Sequence, residues 1–202
     1  MNLSIFPSFH LSLSKRGFTL VELIVSIALI TVLSGILLGS RRQFADKLNL
    51  KNQTYNVVLA VRQAQVESLA VKPTGSPQNF AASYGVHFDS GYATNIFKYF
   101  TDSNLNGRFD NGEPNQDVTL LNGVVRQNVC GNNGSSCFGG NFTQMSVTFR
   151  RPSATSRIRF MNNGGNDSNG VNPPAIIYLV SPAGAVSSVK VESTGSVSVQ
   201  GL

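Results

Sequence analysis

The sequence has little charge, no tryptophan and only two cysteines. Charged residues make up 13% of its 202 residues, about half of the roughly 25% found in globular proteins. The formal net charge is +6 and there is no extended basic tail, which gives little support to a nucleic-acid partner. Glycine, serine and asparagine are concentrated in the second half of the chain. That composition favours short strands and many turns.

The two cysteines, Cys130 and Cys137, are separated by six residues rich in glycine, asparagine and serine. A metal site would need more ligands, and a redox motif would have two residues between its cysteines. Because a membrane-targeting segment precedes this region, a disulfide is the favoured interpretation, and it implies an oxidising compartment. Two free thiols in a reducing compartment are the alternative.

The sequence also lacks the signatures of catalysis. It has no G-x-S-x-G elbow, phosphate-binding loop or zinc-ligand cluster. His87 lies in an apparent strand, where a single histidine is more often a surface or core residue than a catalyst. We therefore expect no enzymatic activity and no small-molecule substrate.

A long apolar run occupies residues 18–39, and Glu22 is its only charged residue. As an α-helix, this run would extend about 33 Å, which matches a hydrocarbon core of about 30 Å. A secretory signal has a shorter apolar region, so we predict a membrane span. No proline occurs between Pro7 and Pro73, and residues 40–72 are predicted to continue the helix with an amphipathic pattern.

Beyond residue 73 the periodicity changes to short runs separated by turn signals. Strands are predicted near residues 83–88, 95–100, 117–122, 123–129, 144–150, 157–162, 175–181, 188–193 and 196–200. Short connections favour antiparallel pairing. The sequence thus predicts an α+β fold, with a long N-terminal helix packed on a β-rich domain of residues 73–202.

The start of the apolar run carries a specific resemblance. Lys15-Arg16-Gly17 followed by Phe18-Thr19-Leu20-Val21-Glu22 resembles the leader and N-methylation motif of type IV pilins and type II secretion pseudopilins. The resemblance implies that residues 1–17 are a leader, which prepilin peptidase removes by cutting between Gly17 and Phe18. It also implies methylation of the new Phe18 amine, and a Glu22 that faces the terminal amine of a neighbouring subunit during assembly.

The layout as a whole is similar to the GspH/FimT family of minor pilins and pseudopilins, including its FimU-like members. The similarity lies in "YGVHF", "KYFTDSNLNGRFDNGE" and "RIRFMNNGG" with the strands that follow. It implies a β-sandwich-like pair of sheets packed on the C-terminal half of the helix.

This resemblance implies a non-enzymatic minor type IV pilin of a priming or tip complex. Its location would be the inner membrane, single-pass, with the domain in the periplasm, and later the filament. Its partners would be other pilins or pseudopilins, prepilin peptidase and the inner-membrane assembly platform. The alternatives are a minor pseudopilin of a type II secretion system and a DNA-binding minor pilin for natural transformation.

The segment from residue 102 to residue 113 fits the calcium-loop pattern D-x-[DN]-x-[DN]-G-x5-E at every specified position. Its oxygen donors would suit a hard cation bound at about 10⁻⁴–10⁻³ M, as in extracellular modules. The flanks are strand-like, so the alternative is a solvated Asx- and Gly-rich turn. The predicted ligands are the side chains of Asp102, Asn104, Asn106, Asp110 and Glu113 and the backbone carbonyl of Arg108.

Four arginines, at positions 150, 151, 157 and 159, form a second candidate site. Arg150, Arg151, Arg157 and Arg159 could converge across a hairpin and hold DNA phosphates. The alternative is a set of solvated strand edges or contacts to another subunit. FimT-type relatives that take up DNA carry a C-terminal G-R-x-R turn. The matching residues here, 195–198, are Gly-Ser-Val-Ser, which argues against DNA as a partner.

Overall fold

The structure is a computed structural model that describes residues 17–70, 83–140 and 142–201. The chain divides into two compact units, one before residue 43 and one from Gln43 onward. Helix α1, Leu20–Leu69, contributes to both. Within the described residues, Leu20–Leu37 is long and apolar enough to cross a membrane, with a mean hydropathy of 2.5. None of this segment is buried inside the isolated chain.

The second half of α1 packs on the domain through one face. Val57, Val61 and Ala64 are fully buried, and their spacing of four and three residues places them on the same side of the helix. Leu50 and Val58 extend this buried face. The helix therefore supplies one wall of the hydrophobic core, as its amphipathic pattern predicts.

Ten strands follow the helix in the part of the chain that the structure describes. In chain order, β1–β10 are Ser83–Asp89, Ile96–Asp102, Asn115–Thr119, Val125–Gly131, Ser136–Cys137, Gln144–Phe149, Ser156–Met161, Ala175–Val180, Val186–Val191 and Val197–Gln200. They form two five-stranded sheets. Sheet one has the order β3-β2-β1-β6-β7, and sheet two the order β10-β9-β8-β4-β5.

Every strand pair in both sheets is antiparallel. The two sheets and α1 share one hydrophobic core, to which sheet one contributes Phe88 and Phe97 and sheet two contributes Ile177 and Leu179. The Phe88 and Phe97 rings stack with centroids 5.1 Å apart. The predicted α+β class, with a helix packed on antiparallel sheets, is confirmed.

Eight of the described strands lie within two residues of their predicted bounds, and two differ further. Strand β3 is Asn115–Thr119 rather than 117–122, because Leu120 leaves the strand to enter the core while Leu121 is exposed. Strand β5 has only two residues and was not predicted. It pairs with β4 where Cys130 lies directly opposite Cys137, and these two cysteines form a disulfide.

Strand β1 is the middle strand of sheet one, and six of its seven residues are buried. Burial on both faces means that the outer side of sheet one is also covered. The neighbouring strands are close, since a Cβ atom added at Gly85 would lie 2.4 Å from the carbonyl oxygen of Val147. On the outer face, the ring of His87 lies 5.1 Å from that of Phe109. Phe109 belongs to the β2–β3 connection, which is therefore the cover.

Candidate functional site

The first candidate site is the start of α1. Gly17 and Phe18 precede the helix and are exposed, so the peptide bond between them is accessible and lies outside regular structure. The basic pair Lys15-Arg16, which belongs to the predicted leader, lies outside the described residues.

Thr19 caps the helix that follows. Its Oγ1 accepts a hydrogen bond from the backbone N–H of Glu22 at 3.2 Å, and its carbonyl accepts one from Leu23 at 3.2 Å. Thr19 and Glu22 thus match the T-x-x-E spacing of a capping box, with Glu22 in the third helical position. There the positive end of the helix dipole favours a carboxylate. The sequence predicted a role for Glu22 only in assembly. Its favourable place in the first turn of the helix was missed, although the T-x-x-E spacing indicates it.

The second candidate site is residues 102–113, the last residue of β2 and most of the connection to β3, which we call the acidic loop. Its first residue, Asp102, is only 1% exposed. The Asp102 carboxylate accepts hydrogen bonds from the backbone N–H groups of Asn106 at 3.1 Å and Gly107 at 2.9 Å. Glu113, at the other end, accepts hydrogen bonds from Ser103 at 2.9 Å and Asp110 at 3.0 Å. Both terminal carboxylates therefore turn inward and hold the loop backbone.

The middle of the acidic loop is organised around Asp110. The side-chain amides of Asn104 and Asn106 both donate to one oxygen of Asp110, and Nε of Arg108 lies 3.2 Å from the other. Arg108 also donates to the carbonyl of Gly165 at 2.6 Å. The predicted ligands thus occupy one loop, where they hydrogen-bond to each other and to the loop backbone.

The carboxylates of the acidic loop have perturbed pKa values. Burial raises the pKa of Asp102 above its ordinary value, against hydrogen bonds from Gly107 and Asn106. Burial also raises the pKa of Glu113, and the nearby charges of Asp102 and Asp110 raise it further. For Asp110 the opposing hydrogen bonds from Asn104 and Asn106 outweigh burial and lower the pKa. The repulsion that contributes to the raised pKa of Glu113 would be relieved by a bound cation.

The described residues contain no group of three or more His, Cys, Asp or Glu side chains arranged to hold a metal ion. Any cation in the acidic loop would therefore depend on amide and backbone carbonyl oxygens as well as carboxylates, a donor set that Ca²⁺ accepts. Calcium binding by this loop stays a prediction.

Two of the four candidate DNA-binding arginines contact the acidic loop. Arg157 and Arg159 lie on β7 with one residue between them, and so on the same face. Arg157 donates to the carbonyl of Leu105 at 3.5 Å, and Arg159 donates to that of Asn106. Arg159 also forms an ion pair with Asp167. The Arg159 guanidinium is thus held by protein oxygens and is less available for phosphates. Arg157 is exposed, and its contact with Leu105 is long.

The other two arginines, Arg150 and Arg151, lie in the turn between β6 and β7. Arg150 is exposed and Arg151 is half-buried. DNA binding by these four residues stays a prediction without direct support.

A buried polar pair anchors the acidic loop to sheet one. His87 is 1% exposed, and its Nδ1 lies 2.8 Å from Oγ of Ser146. The same hydroxyl oxygen accepts the backbone N–H of Phe109 at 3.3 Å. The Ser146 hydroxyl therefore links the His87 ring to the backbone of the acidic loop. Burial lowers the pKa of His87 to about 4.

Comparison with known families found a match to the prokaryotic N-terminal methylation motif over residues 13–38. The matched segment contains the cleavage candidates Gly17 and Phe18, the cap Thr19 and the carboxylate Glu22. No curated protein and no solved structure matched the chain. The motif supports a type IV pilin-like or pseudopilin protein.

This match agrees with the local structure of the segment. The apolar segment Leu20–Leu37 lies within the matched residues, and an exposed apolar helix at this position fits a membrane-anchored, pilin-like subunit. The motif also implies assembly with other pilins and processing by prepilin peptidase. It indicates a structural subunit rather than an enzyme.

We expect acid to destabilise the domain through His87. Its pKa is about 4 in the folded protein and about 6.5 when unfolded, so the unfolded chain binds the proton more tightly between these values. Stability is therefore complete above pH 6.5 and falls as the pH drops towards 4, by up to about 3 kcal/mol. Chemical denaturation of the detergent-solubilised chain, followed by circular dichroism across this pH range, measures the loss.

The matched variant for this test is His87→Asn, which keeps an acceptor near Ser146 but does not titrate. The acidic-loop carboxylates titrate in both proteins, so the difference between the two pH profiles isolates His87. Parallel profiles would show that His87 is not the group responsible.

We expect isothermal calorimetry of the full chain in detergent to detect Ca²⁺ binding with a Kd of about 10⁻⁴–10⁻³ M. Glu113→Gln removes one charge and the two-oxygen ligand, and should abolish the binding heat in this range. Asp117→Asn, which neutralises an exposed carboxylate on β3 outside the loop, should leave it unchanged. Absence of heat at millimolar Ca²⁺, or unchanged heat in Glu113→Gln, would contradict the prediction.

Proposed function

We propose that the protein is a minor type IV pilin of the GspH/FimT kind, a structural subunit that is assembled through its N-terminal helix. The observation that carries this proposal is the methylation motif at residues 13–38, which contains the exposed apolar segment Leu20–Leu37. The minor-subunit assignment is supported by the resemblance of the domain sequence to that family. In this proposal the precursor is anchored in the inner membrane, with its domain in the periplasm.

The exposed apolar side chains at the start of α1 support transfer of this segment from lipid to a bundle of neighbouring helices. Phe18, Leu20 and Val21 are 69–74% exposed, and large apolar residues up to Leu37 are at least 51% exposed. Soluble monomers rarely expose an apolar surface of this size to water. The segment therefore requires either lipid or neighbouring helices to cover it. Transfer from a bilayer to a helical filament core keeps this surface buried throughout.

The second half of α1 also exposes an apolar stripe. Tyr55, Leu59 and Val66 are 45%, 61% and 65% exposed, and their spacing of four and seven residues places them along one side of the helix. This side is opposed to the core-facing residues Val57 and Val61. A lateral contact with a neighbouring subunit would cover the stripe, which is consistent with a filament subunit.

Glu22 would then act during assembly. A carboxylate inside a bilayer costs several kcal/mol unless it meets a partner or water. In the filament, the Phe18 amine of a neighbouring subunit would supply that partner, so pairing would favour the correct axial position of each subunit.

A minor pseudopilin of a type II secretion system has the same N-terminal chemistry and is the alternative. The two are distinguished by the neighbouring genes, which encode either pilus components or a secretion system, and by whether the mature chain is found in sheared surface pili.

Gly17→Ala should leave an unprocessed precursor in the membrane, because the peptidase would no longer accept the residue before the cleaved bond. An added Cβ at Gly17 meets no described atom within 4 Å, so the substitution should not disturb folding. Immunoblotting of membrane fractions measures the precursor. The matched control is Gly35→Ala, which also meets no atom within 4 Å and should be processed normally. Mature-sized Gly17→Ala protein would overturn the cleavage assignment.

Glu22→Gln should be processed normally but be depleted from filaments by more than about tenfold, since breaking a buried charge pair costs about 3–5 kcal/mol. The helix start should persist, because Glu22 contributes its backbone N–H rather than its side chain to the Thr19 cap. Quantitative immunoblotting of sheared filaments measures incorporation. Ser26→Ala, one turn further along α1, is the control and should assemble. Wild-type incorporation of Glu22→Gln would refute the role of the charge.

A further inference from the structure

An apolar groove lies beside the first turns of α1 that belong to the second unit. It has a volume of about 430 Å³ and is lined by Phe44 and Leu48 of α1 and by Val186 at the start of β9. These side chains are 65%, 43% and 44% exposed. A concave site of this volume, lined mainly by apolar side chains with a few polar groups, is the usual form of a ligand-binding pocket.

Two lysines line the same groove. Lys47 and Lys51 are one helical turn apart on α1, and both are exposed. In the sequence, residues 41–51 carry four basic residues, at positions 41, 42, 47 and 51, against the single acid Asp46. Apolar side chains flanked by lysines form the surface that binds at the interface of an anionic membrane.

The groove follows the candidate membrane span closely in the sequence. Only six residues separate Leu37, the end of the apolar segment, from Phe44. Because the connection is so short, the effective concentration of lipid headgroups at the groove would be high. The groove would then be occupied even if its affinity for lipid is weak.

We propose that this juxtamembrane groove binds an anionic phospholipid of the anchoring membrane. Lys47 and Lys51 would contact the phosphate, while Phe44, Leu48 and Val186 would cover the apolar part of the lipid below its headgroup. The proposal rests on the membrane anchorage in the proposed function. An apolar helix of a neighbouring subunit fits less well, because it would desolvate two lysines without supplying an anionic partner.

The consequence concerns the stage before assembly. A lipid bound here would hold the folded domain against the membrane surface, and the domain would have to release it when the subunit leaves the bilayer. The composition of the membrane would thus influence how readily the subunit is extracted.

The test uses the full chain in vesicles of phosphatidylcholine alone or with phosphatidylglycerol, both containing phosphatidylcholine with a nitroxide-labelled headgroup. The chain has no tryptophan, so Phe44→Trp introduces a single fluorescent probe into the groove. We expect the nitroxide to quench this probe more strongly in the vesicles with phosphatidylglycerol. Adding Lys47→Gln and Lys51→Gln to this chain should lower the ratio of lipid-bound to lipid-free groove. The expected loss is about fivefold per lysine, because each lysine contributes about 1 kcal/mol to binding an anionic surface.

Two controls match these variants. Leu59→Trp places the probe at another exposed position of α1 and should show no dependence on phosphatidylglycerol. Arg150→Gln with Arg151→Gln removes the same charge from the β6–β7 turn and should leave quenching of the groove probe unchanged.

Equal quenching of the groove probe in both vesicles, or quenching insensitive to the two lysines, would overturn the proposal. If the groove probe becomes less accessible to the nitroxide as the protein-to-lipid ratio increases, the groove binds a second copy of the chain instead. Flotation after an alkaline wash is measured on the same samples. A chain that does not float lacks the anchor, which refutes the proposed function together with the groove. A chain that floats without quenching refutes only the groove.

Discussion

Helix α1 carries two apolar surfaces that need different partners, and the rest of the molecule depends on both. The segment Leu20–Leu37 is apolar on all sides and unburied in the chain, so only lipid or other helices can cover it. Further along, Val57, Val61 and Ala64 form a narrow face that the two sheets bury. The domain therefore completes its core within the chain, while the first segment stays uncovered until lipid or other helices surround it.

The acidic loop is structural as well as a candidate cation site. It covers the outer face of sheet one through Phe109, which packs on His87 and Phe100, and it is held from β7 by Arg157 and Arg159. A cation would not have to fold this loop from a disordered state, because Asp102 and Glu113 already hold its backbone. Binding would instead compete with those hydrogen bonds, which is consistent with a weak site.

The sequence was sufficient for the features that depend on periodicity. It predicted the helix, the α+β class and most strands, because burial on one face leaves a repeat of 3.6 or 2 residues. Strand β3 was misplaced because its exposed edge residues, Asn115–Thr119, carry no such repeat. Strand β5 is too short to show one. The packing of Phe109 on His87 could not be predicted from the sequence. The two residues are distant in sequence, and only the folding of sheet one brings their rings together.

Glu22 illustrates how one charge can suit successive environments. Its position in the first turn of α1 places the carboxylate at the positive end of the helix, which reduces the cost of holding it near the membrane surface. Cleavage after Gly17 would create a positive amine at Phe18, at the same end, where the helix dipole opposes it. A carboxylate close to that end is then the group that offsets the new charge. Since every subunit would carry both groups, pairing between neighbours would satisfy each amine and each carboxylate without leaving either unpaired in an apolar filament core.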